Sequence, residues 1–262
     1  MNNSFLNLHE VIYFGAKFSP SFNSPFRSQM EGFLMHHLLL TLTQTAHPEA
    51  AIALQQELRS LVVVEDDFGA VQTVAGVDVG FEDDDRVACA AIAVLRFPDL
   101  TLQESVMIRR PTTFPYVPGL LAFREVPVVM EALAELKTKP DLLLCDGNGY
   151  IHPRRCGFAC HLGIVSGLPS IGVAKTPYLG EHEPLAEHRG AWQPIRDSGE
   201  VIGAIVRTQS NIKPVYVSIG HRISLNSAID FVLKCAPKYR LPETTRQADQ
   251  LSKGHTKPVS AI

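Results

Sequence analysis

The sequence has no apolar run long enough to cross a bilayer. Its longest candidate, residues 33–42, is interrupted by His36 and His37, whereas a membrane helix needs about 20 apolar residues. The chain also starts without the basic region, apolar run and small-residue cleavage site of a secretory signal. We therefore predict a chain that has no membrane partner and is located in the cytoplasm.

The sequence has few cysteines and little net charge. The five cysteines are an odd number and lack the dense spacing of a disulfide-rich secreted domain. The formal charge is only -3, from 24 Lys and Arg against 27 Asp and Glu. Overall basicity is therefore excluded as a means of binding nucleic acid, and such a surface would need local segregation of charge. The remaining composition, with 45% hydrophobic residues in 262, is typical of a folded, enzyme-sized protein.

Two parts of the chain differ in character. Residues 1–45 carry few charges, and Met30 and Met35 offer later starting points. We expect this N-terminal extension to be a poorly ordered or misassigned leader, with a partner-binding arm as the alternative. Residues 46–262 show regular hydrophobic periodicity and are expected to form one domain.

Periodicity in the second part predicts an α/β fold. Three β-branched or alternating runs, 73–79, 87–95 and 101–108, predict an antiparallel meander. Helices are predicted over 48–61, 119–136, 156–166, 225–234 and 244–251, strands over 141–145, 170–173, 201–207 and 215–218, and a polar insertion over 180–190. Pro127 predicts a kink or a late start in the second helix. A meander followed by strands that helices cover is the order of the ribonuclease H-like fold, a mixed sheet flanked by helices.

Two aspartates mark a candidate site at the ends of strands. Asp78 lies in a buried strand pattern, where a carboxylate must be paired, hydrogen-bonded or bound to a cation. Asp146 ends an apolar strand, at the place where ligands bind open α/β sheets. Either residue alone could be a strand-end cap. If the two strands are neighbours, however, both carboxylates project toward one edge, and Glu125 on the intervening helix offers a third.

Three carboxylates without a cage of Cys or His favour a hard cation such as Mg²⁺ or Mn²⁺. Such ions support hydrolysis of phosphodiesters. The charge of the C-terminal segment also favours a substrate with phosphates, because residues 207–262 contain nine Lys or Arg against three Asp or Glu. This excess predicts a phosphate-binding face, with an ordinary solvated basic end as the alternative.

A zinc site is a competing interpretation. Its candidate ligands are Cys145, His152, Cys156, Cys160 and His161. The two-residue spacing of zinc knuckles and a second cysteine pair are both missing. Thiols that pack as small hydrophobic groups explain these cysteines better.

Seven motifs, in one order along the chain, closely resemble the endonuclease V family. They are VDV at 77–79, FPYVPG at 114–119 with FRE at 123–125, DLLLCDGNG at 141–149, HPRR at 152–155, GVAKT at 172–176, SIGHRIS at 218–224 and YRLPETTR at 239–246. The likeness runs from residue 46 to residue 251. It implies a ribonuclease H-like fold and a magnesium-dependent activity, which hydrolyses the second phosphodiester bond on the 3′ side of deoxyinosine. Some family members also cut inosine-containing RNA.

The resemblance implies catalytic roles for five residues. Asp78, Glu125 and Asp146 match the metal-binding carboxylates, for Mg²⁺ that Mn²⁺ can replace. Lys175 matches a lysine near the scissile phosphate, where a point cation suits the transition state. Asp249 matches a further acidic or His position near the metal, and a surface or capping aspartate is the alternative interpretation.

The resemblance also implies a recognition site. Tyr116, between two prolines, matches the wedge that enters the duplex where the lesion is displaced. Gly119, Gly147, Gly149 and His152 match the pocket for the turned-out hypoxanthine, whose extrusion is easier than that of a well-paired base.

These observations together predict a monomeric, magnesium-dependent endonuclease that acts at deoxyinosine in DNA repair. Residues 46–262 would form its single catalytic domain, and its partner would be inosine-containing DNA. One alternative is an inosine-specific endoribonuclease that uses the same site. Another is a catalytically silent nucleic-acid-binding domain, which the carboxylates disfavour because they repel phosphates. Thr244 departs from the family pattern, where a proline is expected, and Asn148 lies in a loop that varies.

Overall fold

A computed structural model describes residues 47–260, so the predicted N-terminal extension lies outside the described residues. Eight strands form one mixed sheet in the order β3-β2-β1-β4-β5-β8-β7-β6. The strands are β1 (Thr73–Glu82), β2 (Val87–Arg96), β3 (Leu102–Pro111), β4 (Leu142–Asp146), β5 (Ser170–Ala174), β6 (Trp192–Asp197), β7 (Glu200–Val206) and β8 (Val215–His221). The helices within the described residues are α1 (Pro48–Arg59), α2 (Ala122–Glu135), α3 (Phe158–Ser166), α4 (Leu225–Cys235) and α5 (Glu243–Ser252). The predicted α/β class, a mixed sheet flanked by helices, is confirmed.

The centre of the sheet is parallel. β1, β2 and β3 form the predicted antiparallel meander. β4 then joins β1 in parallel, and β5 joins β4 in parallel. Because parallel strands run in one direction, the carboxyl ends of β1, β4 and β5 meet at one edge of the sheet.

Apolar side chains cover both faces of the sheet. On one face, Leu54 of α1, Val126 of α2 and Leu162 of α3 are buried in a cluster with residues of β1, β2 and β4. On the other face, Ile229 and Val232 of α4 are buried against strand residues that alternate with those of the first cluster. This alternation follows from the two-residue repeat of a strand.

Helix α5 packs unusually close to β1. A Cβ atom at Gly76 would lie 1.9 Å from the carbonyl oxygen of Thr244, a distance that no side chain permits. Glycine is therefore required at this position of β1. The close approach brings the next turns of α5 toward the carboxyl end of β1.

Two local predictions are wrong. No strand was expected between the polar insertion and residue 201, but β6 forms there and pairs with β7 at the edge of the sheet, with one further bridge from Arg196 to Glu181. Pro194 weakens the strand signal, yet a proline is tolerated on an edge strand. A late start for α2 is also wrong, because the helix begins at Ala122, ahead of Pro127. Burial of Val126, Val128 and Val129 offsets the cost of that proline.

Within residues 47–260, no helix combines the length and the apolar character that crossing a membrane requires.

Candidate active site

The pairing of β1 with β4 places two aspartates side by side. The ladder pairs Val77 with Cys145, so Asp78 and Asp146 are the next residues in register. Asp146 is the last residue of β4, whereas Asp78 lies where the ladder with β4 stops and β1 continues to Glu82. Since successive side chains alternate between faces, Asp78 lies on the face that α5 contacts at Gly76. The predicted convergence of these two carboxylates is thus what the sheet geometry produces.

Helix α5 adds a third carboxylate. One oxygen from each of Asp78, Asp146 and Asp249 lies within 4.8 Å of the others. Among residues 47–260, this is the one group of three or more His, Cys, Asp or Glu side chains that converges closely enough to hold a metal. The cysteines proposed for zinc are instead buried free thiols, and burial raises the pKa of Cys156 to about 12.

Glu125 lies close to this cluster but outside its tightest part. It sits in the first turn of α2 and is only 7% exposed. Burial raises its pKa well above the usual range, and the negative charges of Asp78 and Asp146 raise it further. Four carboxylates therefore share one edge of the sheet, and Asp249, rather than Glu125, completes the closest three.

Lys175 follows β5 and is the cation of the site. Its Nζ lies 2.5 Å from Asp146 Oδ2 and 3.3 Å from Asp249 Oδ1. Partial burial alone would lower the pKa of Lys175, but the hydrogen bond and charge of Asp146 outweigh burial and raise it. The side chain is therefore a charged ammonium at neutral pH, next to two of the three clustered carboxylates.

Two residues at the C-terminal end of α5 bond to aspartates of the cluster. Ser252 Oγ donates a hydrogen bond of 2.5 Å to Asp78 Oδ2. Lys253 Nζ contacts both carboxylate oxygens of Asp249, at 2.8 and 2.9 Å. Burial and the neighbouring carboxylates still raise the pKa of Asp78, and the bond from Ser252 opposes that rise.

The donor set fits a hard divalent cation. All of its ligand atoms are carboxylate oxygens, which Mg²⁺ and Mn²⁺ prefer over the nitrogen and sulfur ligands of zinc sites. Burial and mutual repulsion raise the pKa of Asp78 and of Glu125. A bound cation would offset both effects and favour the ionised carboxylates.

A cavity of about 240 Å³ opens beside the carboxylates. Its lining comprises Gln55, Tyr116, Val117, Pro118, Gly119, Leu121, Ala122, Glu125, Asp146, Gly147, Asn148, His152, Gly157, Phe158 and Tyr178. The volume lies below the range of pockets for drug-sized ligands, which suits a single small ring system. Because Glu125 and Asp146 belong to both the cavity and the carboxylate edge, the two regions are continuous.

Tyr116 and His152 differ in solvent exposure within this cavity. Tyr116 is 66% exposed at the rim, as a projecting aromatic ring would be. His152 is buried, and the backbone N–H of Arg154 donates to its Nδ1 at 3.1 Å. Nε2 therefore carries the proton and donates to the carbonyl of Gly119 at 3.0 Å. Burial and the charge of Arg154 lower the pKa of His152 to about 4, so the ring is neutral at pH 7.

The three predicted pocket glycines occupy different environments. A Cβ at Gly149 would lie 2.1 Å from the carbonyl oxygen of Ile219, and the Gly149 N–H donates to Ser218 Oγ at 2.8 Å. Gly119 has a φ of +80°, in the region that favours glycine. Gly119 and Gly147 both line the cavity, whereas Gly149 supports the loop behind it.

Several site residues carry no signal in the sequence. Gln55, Phe158 and Tyr178 line the cavity, and Ser252 bonds Asp78. Each reaches the site through a tertiary contact, and no motif or strand end marks it. Only the three-dimensional structure could identify them.

The basic C-terminal segment is mostly paired within the protein. Six of its nine cations contact protein carboxylates or carbonyls: Arg207, Arg222, Lys234, Arg240, Arg246 and Lys253. Arg240, for example, donates to the backbone carbonyl of Lys175 at 2.5 Å. Much of the local positive charge therefore stabilises the site and the fold, so the segment supplies fewer free cations than its composition predicts.

The fold and the carboxylate edge define a class. A ribonuclease H-like sheet carries convergent carboxylates from β1, from the end of β4 and from α5, with a lysine after β5 and an adjoining cavity. This is the arrangement of a metal-dependent nuclease.

Comparison with known proteins gives the family within that class. The family model described as Endonuclease V matches residues 56–250. Endonuclease V of Nostoc sp. is 58% identical over 205 residues, which are 78% of this chain and 93% of that protein. The chain belongs to the endonuclease V family, as its motifs predict, and is an endonuclease.

Solved structures agree with this assignment. The crystal structure of Endonuclease V from Streptomyces avermitilis is similar with a TM-score of 0.77 and 44% identity, over 80% of this chain and 93% of that one. Endonuclease V from Ciona intestinalis, solved in complex with a 23mer DNA containing an inosine followed by a ribo-adenosine, is similar with a TM-score of 0.69 and 30% identity. That match covers 78% of this chain and 95% of the Ciona chain.

Proposed function

We propose that this endonuclease recognises deoxyinosine in DNA and, with Mg²⁺, hydrolyses the second phosphodiester bond on the 3′ side of the lesion. The products are a 3′-hydroxyl and a 5′-phosphate, and the activity serves DNA repair. The observation that carries this proposal is the convergence of Asp78, Asp146 and Asp249 within 4.8 Å beside a cavity.

Asp78 and Asp146 would hold the cation, with Glu125 and Asp249 as the further carboxylates. A bound cation would supply activation of water and stabilisation of the leaving oxygen. Lys175, which is charged and next to Asp146, neutralises charge that develops on the phosphoryl group. The carboxylate neighbours keep this ammonium in place.

Tyr116 and the cavity carry recognition. The exposed ring of Tyr116 replaces the displaced base in the stack, since aromatic rings stack well on bases. The cavity, walled by Gly119, Gly147 and the neutral His152, receives the extruded hypoxanthine. The Ciona intestinalis relative, bound to inosine-containing DNA, supports the assignment of this substrate.

One experiment tests the proposal. Matched DNA and RNA oligonucleotides, each with one inosine or with adenosine at the same position, are incubated with the protein in Mg²⁺ or in chelator, and the cut is mapped. We expect cleavage of the inosine DNA only, in Mg²⁺ only, at the second bond on the 3′ side. Cleavage of the adenosine strand at the same rate would contradict the proposal.

The RNA arm decides the alternative. Faster cutting of inosine RNA than of inosine DNA would identify an endoribonuclease with the same site, and tight binding without cutting would identify a silent binding domain. The monomeric state, the cytoplasmic location and the single catalytic domain over residues 46–262 stay predictions. Light scattering, cell fractionation and limited proteolysis test them in that order.

A further inference from the structure

The carbonyl oxygen of Gly119 receives three hydrogen-bond donors. Gln55 Nε2 lies at 3.2 Å, His152 Nε2 at 3.0 Å and Arg154 Nη2 at 2.9 Å. A carbonyl oxygen has two lone pairs, so three donors are more than an ordinary loop carbonyl attracts. Gly119 ends the Tyr116-containing loop in the left-handed conformation, which makes this oxygen a fixed point of the cavity wall.

Gln55 connects this point to two other segments. Its Nε2 also donates to the carbonyl of Cys156 at 2.5 Å, and its Oε1 accepts from Arg154 Nε at 2.5 Å. Each polar atom of the carboxamide therefore has a partner. The side chain is only 1% exposed, and it reaches the cavity from α1, a helix that lies outside the sheet and that sequence motifs do not connect with the site.

The bonds of Gln55 differ from those of an ordinary buried glutamine. They all end on the two loops that form the cavity, the loop that ends at Gly119 and the loop after β4 that contains Arg154 and Cys156. None of them reaches the carboxylate cluster. Leu54 and Leu58, on the same helix, already supply apolar contacts to the core, so the position of α1 does not depend on the carboxamide alone.

We propose that Gln55 is a positioning residue for recognition, whose carboxamide holds the Tyr116 loop against the loop after β4 and so fixes the shape of the base-binding cavity. The inference rests on the proposed inosine-directed function and adds to it a determinant from α1. It assigns to Gln55 an effect on selective binding and none on the cutting step.

Two substitutions separate the contributions of shape and hydrogen bonding. Gln55→Met keeps the length of the side chain but removes every bond of the carboxamide. Gln55→Glu keeps an acceptor for Arg154 but turns a carboxylate oxygen toward the carbonyls of Gly119 and Cys156. Gln56→Met is the matched control, because Gln56 is the same residue type on the same helix and is exposed.

The measurements are the dissociation constants for an inosine duplex and for its adenosine counterpart in chelator, and the single-turnover rate on saturating inosine duplex in Mg²⁺. For Gln55→Met we expect about tenfold weaker binding of the inosine duplex, unchanged binding of the adenosine duplex and a rate within about twofold of the parent. Gln55→Glu should weaken inosine binding further, by about a hundredfold, since it adds repulsion to the lost bonds. Gln56→Met should match the parent.

A purely structural role for Gln55 would give a different result. A folded Gln55→Met protein that loses affinity for both duplexes and cutting rate together, or that binds the inosine duplex like the parent, would overturn the inference. If Gln55→Met does not fold, Arg154→Met provides the test. That change removes one donor from Gly119 and the donor to Oε1, and we expect about threefold weaker inosine binding with an unchanged rate; parent-like binding would contradict the inference.

The parent protein separates this inference from the proposed function. A parent that binds and cuts both duplexes equally overturns the proposed function, and the inference fails with it. A parent that selects inosine, with a Gln55→Met variant that selects it equally well, overturns the inference alone.

Discussion

The carboxylate edge and the cavity adjoin each other but are held together by different forces. At the edge, side chains converge from strand ends and α5, and charge governs them: Lys175 pairs with Asp146, and burial raises the pKa of Asp78. In the cavity, hydrogen bonds to backbone carbonyls govern the structure: Gln55, His152 and Arg154 all donate to the carbonyl of Gly119. The contrast indicates that cutting and recognition depend on separable sets of contacts.

The two regions meet at β4 and α2. Asp146 belongs to the carboxylate cluster and also lines the cavity. Glu125, in the first turn of α2, lines the cavity and lies next to the cluster. Changes away from these two residues should therefore affect one region alone.

Removal of a carboxylate on β1 or β4 should have the largest effect. Asp78→Ala or Asp146→Ala should lower the single-turnover rate by at least about a thousandfold, because a ligand of the cation is lost. Inosine-duplex affinity should stay within about threefold, since the change also removes negative charge that faces phosphates. Glu125→Ala should behave similarly. Asp230→Ala, at an exposed aspartate of α4, is the control, and near-normal turnover by a folded Asp78→Ala protein would refute the carboxylate site.

Exchange of the cation should separate binding from cutting in the unaltered protein. With Ca²⁺ in place of Mg²⁺, we expect inosine duplex to bind but to be cut at least about a hundredfold more slowly, because the larger ion accepts a looser coordination. Gel shift and product analysis in the same buffer measure both quantities. Rapid product formation in Ca²⁺ would count against this account of the edge.

Loss of the projecting ring should affect recognition. Tyr116→Ala should weaken binding of the inosine duplex by about tenfold to a hundredfold, the value of one or two base-stacking contacts. The loss should be smaller on single-stranded inosine substrate, where no duplex has to be opened. Trp192→Ala, at an exposed aromatic residue of the edge strand β6, is the matched control. Equal losses on both substrates would show that Tyr116 is a packed loop residue.

The smallest expected effect concerns Ser252. Its hydrogen bond lowers the pKa of Asp78, so Ser252→Ala should let that pKa rise and let protons compete better with the cation. The half-saturating Mg²⁺ concentration should increase by about tenfold. A raised pKa matters most at low pH, so the defect should be largest at the lowest pH at which the protein stays folded and should shrink as the pH rises. A defect that does not change with pH would show that Ser252 acts only through packing.

The edge was largely predictable from the sequence because an aspartate that directly follows an apolar run is a recognisable pattern. Asp78 and Asp146 each follow an apolar run, and parallel pairing of neighbouring strands then places them in register. The same pattern could not reveal Asp249, which came only from the family resemblance. Its position depends on how closely α5 packs on Gly76, a tertiary contact.

The cavity was less predictable, for a physical reason. Gln55 meets Cys156 across 101 residues of sequence and Arg154 across 99. No local periodicity encodes such pairs. Motif likeness supplied Tyr116, Gly119 and His152 but not the side chains that hold them.

Strand β6 was not predicted because an edge strand with one proline has little hydrophobic alternation.

The separation of cutting from recognition can be tested most directly by measuring two quantities on two variants. Dissociation constants in chelator and single-turnover rates in Mg²⁺ are determined on one inosine duplex for Asp78→Ala, which removes a carboxylate that does not line the cavity, and for Tyr116→Ala. The account predicts opposite defects: Asp78→Ala keeps its affinity and loses its rate, whereas Tyr116→Ala loses affinity and, once saturated, cuts at nearly the parent rate. Loss of both quantities in both folded variants would contradict it.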